Sequence, residues 1–115
     1  MKARFWVVCT RGRSLRELLN DRLASDQGRK DESAKYQVRL KKDRKVDRRK
    51  GWSWVHSRNG GRGAVRYSWN RQLRMLECWA VTREKNRSSQ IIGEFIETLL
   101  DTTRRRIKHI HVEVR

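Results

Sequence analysis

A net charge of +17 spread over 115 residues is the constraint under which this chain must fold. Compaction brings like charges together, and burial of apolar side chains has to offset that repulsion. Hydrophobic residues make up only 36% of the chain, so they must be gathered into faces. They are: apolar positions recur at strand and helix periods, unlike those of a disordered basic tail. One domain covering residues 1–115, with one modest core, is expected at this length.

The same charge constrains the partner. Of the 30 basic residues, 21 are Arg, whose planar fork pairs with phosphate oxygens and stacks on bases as Lys cannot. A polyanion that releases counterions on binding gives such a charge a use. An acidic protein surface is the other kind of partner that would. No apolar run approaches the roughly 20 residues of a membrane span, and Met1 to Phe5 leads into a strand-like pattern without a signal-peptide core. The expectation is a cytoplasmic protein with no membrane partner and no cofactor. Cys9 and Cys78 lie in strand-like segments, and two cysteines make no disulfide framework, so buried reduced thiols are expected.

Residues 3–10 read as a strand buried on both faces. Ser14 and Glu17 fit a capping box, and Leu15, Leu18, Leu19 and Leu23 follow at helical spacing, which predicts a helix over about 15–25 that ends near Gly28. Tyr36, Val38 and Leu40 alternate with basic residues as a half-buried strand. The run Lys41, Lys42, Asp43, Arg44, Lys45, Val46, Asp47, Arg48, Arg49, Lys50 has no core periodicity and reads as a basic loop, seven basic residues against two acidic. Strands at 52–57, 64–70 and 73–82 follow, the first two joined by the turn Asn59 to Gly63. Ile91, Ile92, Phe95, Ile96, Leu99 and Leu100 mark an amphipathic helix over 88–103, capped near Asn86 or Ser88. Arg104 to Arg106 sit at its C-terminus, where the macrodipole favours cations. A last strand, 107–114, would turn Ile110, Val112 and Val114 to the core. There is no internal repeat and no linker. The order β-α-β-β-β-β-α-β predicts an α+β two-layer sandwich, a ferredoxin-like variant with both helices on one sheet face and the other face open.

Three constellations could carry function. Trp52, Trp54, Tyr67 and Trp69 lie on consecutive strands amid Arg58, Arg62 and Arg66, where rings can stack on bases and guanidinium groups can follow a backbone. Five tryptophans crowd so small a core, and Trp52 and Trp54 are the pair expected outside it. The basic run supplies Lys41, Lys42, Arg44, Lys45, Arg48, Arg49 and Lys50 as phosphate contacts.

The third is His109-Ile110-His111, where alternation puts both imidazoles on one strand face. Histidine–hydrophobic–histidine on a ferredoxin-like sheet resembles the metal-binding motif of the HUH nucleases, which cut single-stranded DNA with a tyrosine. The resemblance implies His109 and His111 as ligands of a divalent metal, His56 as a third, and Tyr36 or Tyr67 as nucleophile. The plainer reading of the pair is two surface histidines on a basic strand. His56, Tyr67 and Arg66 could instead serve acid/base cleavage of RNA, as in small toxin RNases. No phosphate-binding Gly-Lys-Ser/Thr loop, CxxC or paired-carboxylate pattern is present.

The sequence therefore predicts a nucleic-acid-binding protein without catalysis of its own. RNA or another single strand is preferred because the aromatics lie on strands and Glu94, Glu97 and Asp101 line the polar face of the second helix. A nuclease is the alternative, and a protein that docks on an acidic partner the third class.

Overall fold

Ser14 opens the first helix. Its hydroxyl accepts the Glu17 backbone N–H at 3.4 Å, while the Glu17 carboxylate turns to Arg13 Nε at 3.1 Å, so only half of the capping box forms. The computed structural model describes residues 2–27, 35–40, 51–58, 63–83 and 88–113. In chain order they form β1 (Lys2–Cys9), α1 (Leu15–Gln27), β2 (Val38–Leu40), β3 (Trp52–Ser57), β4 (Ala64–Asn70), β5 (Met75–Val81), α2 (Ser88–Thr103), a 3₁₀ turn (Arg104–Arg106) and β6 (Ile107–Val112). The basic run 41–50, Arg62, Gly28, Asn86 and Val114 lie outside the described residues.

The six strands make one antiparallel sheet in the order β2-β3-β4-β5-β1-β6. The fold is α+β, but the order differs in detail from a four-stranded ferredoxin-like sheet. The four strands between the helices run outward from β5 as a meander, so β1 sits between β5 and β6. Where β3 passes into β4, Gly63 has φ 120°, and a Cβ there would lie 2.7 Å from the Val81 carbonyl oxygen. Only glycine lets the chain pass so close.

Alternate strand residues face the helices. Phe5, Val7, Val55, Val65, Tyr67, Leu76 and Cys78 are buried with Leu15, Leu19, Leu23, Ile91, Phe95 and Leu99 in one cluster. Phe95 is its hub, edge-on to Phe5 at 5.8 Å and tilted against Tyr67 at 5.3 Å between centroids. Two polar groups on this side are bonded to α1: Ser53 Oγ accepts Arg16 Nη1 (3.1 Å) and Asn20 Nδ2 (3.0 Å), and the Tyr67 hydroxyl donates to Asn20 Oδ1.

Several expectations are corrected. β1 is buried on one face only, since Arg4, Trp6 and Val8 point away from the helices and are half-buried. The fifth strand begins at Met75, and Leu73 stands 60% exposed in the turn before it. Val112, expected in the core, is 40% exposed on the edge strand beyond the reach of the helices. Glu94, assigned to the polar face of α2, is buried. Among the described residues no helix is long and apolar enough to cross a membrane.

Candidate functional site

Register, rather than proximity in sequence, assembles the sheet face that lies away from both helices. Pairing sets Arg4 opposite Trp79, Trp79 opposite Arg66, and Arg66 opposite Trp54, so one row of alternating cation and ring crosses four strands. The next row holds His111, Trp6, Glu77, Ser68 and Trp52. The Arg4 Cζ lies 4.9 Å from the Trp6 ring centroid and 4.8 Å from that of Trp79. The Arg66 Cζ lies 4.6 Å from Trp52 and 5.7 Å from Trp54. Each guanidinium thus sits between two indoles, an attraction worth about 0.5–2 kcal/mol per pair depending on desolvation.

What these two cations lack is an anion. No ion pair among the described residues involves Arg4 or Arg66, and the Nε of each is buried without a hydrogen-bond partner. The one carboxylate in the neighbouring row between Trp6 and Trp52, Glu77, accepts Asn70 Nδ2 at 3.4 Å. A buried donor without a partner is ordinarily unfavourable by about 1–3 kcal/mol, a cost comparable to what the two ring contacts of each guanidinium return.

The other sequence-predicted residues divide. Trp52 and Trp54 lie on the open face with Arg66, as their alternation implied. Tyr67 and Trp69 do not join them: β4 turns both toward the helices, where Tyr67 is fully buried and Trp69 packs against the core. Trp6 and Trp79 complete the platform and were missed, as was Arg4. Arg58, expected on phosphate, is instead a structural residue. It donates from Nη2 to Asp26 Oδ2 (3.2 Å) and from Nε to the Tyr36 carbonyl (2.8 Å), with its side chain 8% exposed. Burial alone would raise the Asp26 carboxyl, but backbone N–H groups of Lys35 and Tyr36 and the Arg58 guanidinium outweigh it and hold the pKa below the ordinary value.

The histidines do not converge. His109 and His111 are exposed on β6, with the His111 ring 5.5 Å from Trp6. His56 lies on β3, four strands away and so more than about 19 Å distant at ordinary strand spacing. Among the described residues no three His, Cys, Asp or Glu side chains are grouped to hold a metal. His56 and Tyr67 occupy opposite faces of the sheet, so the pairing that RNA cleavage would need is not assembled. Both thiols are buried and inert in kind: desolvation raises Cys9 to about 11 against the pull of Arg106, and raises Cys78 well above the usual thiol range.

No protein-family model matches the chain, and no curated protein or solved structure is significantly similar to it.

Proposed function

We propose that this chain binds single-stranded nucleic acid, RNA foremost, across the open face of its sheet. The observation that carries the proposal is the pair Arg4 and Arg66, held between tryptophan rings with buried Nε donors and no anion. Phosphate oxygens supply the charge and the acceptors that these groups lack, and unpaired bases supply planes for Trp6, Trp52, Trp54 and Trp79. The basic run adds charge from Lys41, Lys42, Arg44, Lys45, Arg48, Arg49 and Lys50, with Arg62 beyond it. Its contribution is sequence-independent affinity. Reversing Lys42, Arg44, Arg48 and Arg49 to Glu is expected to weaken binding by orders of magnitude at moderate salt. The reading is of a binding protein that works without a cofactor in the cytoplasm.

The test is fluorescence anisotropy of labelled single strands and matched duplexes across a salt series, with wild type and Arg4→Gln/Arg66→Gln. Loss of two phosphate contacts should weaken single-strand binding about tenfold or more and reduce the slope of log K against log salt by about 1.4 (2 × 0.7). A double variant that binds single strands with wild-type affinity and salt slope would sink the proposal. Tight binding of acidic polypeptides with none of oligonucleotides would move the chain to the acidic-partner class.

A further inference from the structure

Where β1 leads into α1 and β4 turns into β5, Arg11, Gly12, Trp69, Arg71, Gln72 and Arg74 line a cavity of about 440 Å³. It lies at the end of the sheet and shares no residue with the Arg–Trp row. Its volume is in the range of small-ligand sites. Three guanidinium groups line it and no carboxylate does. Arg13, beside it, is already paired with Glu17 (3.1 Å) and Asp21 (3.0 Å).

A fourth cation lies under the same turn. Arg106 donates to the Arg13 carbonyl (2.8 Å), the Thr10 carbonyl (3.0 Å) and Thr10 Oγ1 (3.2 Å). All three acceptors are neutral, and no ion pair among the described residues involves Arg106. Gly12 makes the arrangement possible: at φ 152° a Cβ would lie 2.8 Å from the Arg106 Cζ. Arg74 adds a second signal. It has φ 52°, the left-handed region that glycine or asparagine fills with less strain. The backbone there is held by the Cys9 N–H donating to the Arg74 carbonyl at 2.8 Å, a bond that glycine would make equally well. The turn itself does not call for the arginine side chain, which lines the cavity.

We infer that this cavity binds a nucleoside monophosphate group, its phosphate among Arg11, Arg71 and Arg74 and its base against Trp69. The group can arrive as a free nucleotide or as the phosphorylated end of a strand; the second source rests on the nucleic-acid reading above, the first does not.

The test uses the full chain with AMP, adenosine and inorganic phosphate by calorimetry, and one oligonucleotide with 5′-phosphate, 3′-phosphate or free hydroxyl ends by anisotropy. In wild type, AMP should bind about tenfold or more tighter than adenosine or phosphate, or a phosphorylated end should improve oligonucleotide affinity by a similar factor. AMP binding without an end preference identifies the free nucleotide; an end preference identifies the strand terminus. Arg71→Gln/Arg74→Gln should abolish either effect while leaving the hydroxyl-ended oligonucleotide unchanged, and Arg4→Gln/Arg66→Gln should do the reverse. Arg74→Gly should weaken the phosphate-dependent effect with an equal or higher Tm, which separates lost binding from lost folding. AMP binding without any oligonucleotide binding leaves this inference standing and removes the open-face proposal. The inference is overturned when neither AMP nor a terminal phosphate gains affinity in wild type, or when the gain survives Arg71→Gln/Arg74→Gln.

Discussion

The two faces of the sheet are made by neighbouring residues of the same strands, yet they treat charge in opposite ways. Toward the helices, Phe5 and Val7 on β1 and Tyr67 on β4 are fully buried, and the buried Asp26 carboxylate on that side of the molecule is well provided for. Asp26 receives two backbone N–H groups, from Lys35 at 2.9 Å and Tyr36 at 3.2 Å, as well as the Arg58 guanidinium. Away from the helices, Arg4 and Arg66 receive only indole faces among the described residues. A fold can keep a compensated ion for stability, whereas the uncompensated pair on the open surface is what the proposed anionic partner would satisfy.

The comparison breaks most readily through the core. Phe95→Ala is expected to remove about 3–5 kcal/mol of stability in urea unfolding, whereas Trp79→Ala should remove about 1–2 kcal/mol, mostly cation–π and partial burial. Equal losses would make the open face a second core and end the contrast.

Asp26→Asn tests the compensated ion. It leaves the buried Arg58 without its charge partner and is expected to be destabilising by about 3 kcal/mol or more. Because the folded pKa of Asp26 is depressed, its contribution is present above the unfolded value near pH 4 and is lost as pH falls through the lower folded value. Stability of wild type should therefore drop on acidification below about pH 4 more than that of Asp26→Asn. Parallel profiles would show that the carboxylate is not held as described.

On the other face the expected changes are in binding. Trp52→Ala and Trp54→Ala should each weaken single-strand affinity by about 1–3 kcal/mol and duplex affinity far less, with single strands quenching tryptophan emission in wild type. Comparable losses for both ligands would leave a surface that grips charge without reading bases. The smallest effect expected is on the thiols. With Cys9 raised to about 11 and Cys78 raised well above the usual thiol range, neither should be alkylated at pH 8 until the chain unfolds, and labelling of the native protein would show that the helix-covered face opens.

Local periodicity was enough to place both helices, because the stripe from Ile91 to Leu100 and the leucines after Ser14 depend on neighbours a turn away. It was not enough to assign strand faces. Phe5, Trp6, Val7 and Val8 are all apolar, so nothing local says that Trp6 faces out; that is fixed by pairing with β5, over seventy residues later. The same long-range register separates Tyr67 from Trp54, which pairs with Arg66 instead. Arg58 looked like one more member of a basic segment because its partner Asp26 lies 32 residues earlier. The charge pattern showed that cations were in excess, but which of them lacked anions could be seen only once the chain was folded.

The row from Arg4 to Trp54 also has a shape. It crosses three strand junctions, and adjacent strands of a sheet rotate by about 20–25° each, so its far end is turned by about 60–75° from its near end. Over the same three steps it spans only about 14 Å. A polymer in continuous contact with that ramp must swivel through most of a right angle within about four nucleotide rises. A flexible strand, the ligand proposed above, can do this by rotating its own backbone bonds.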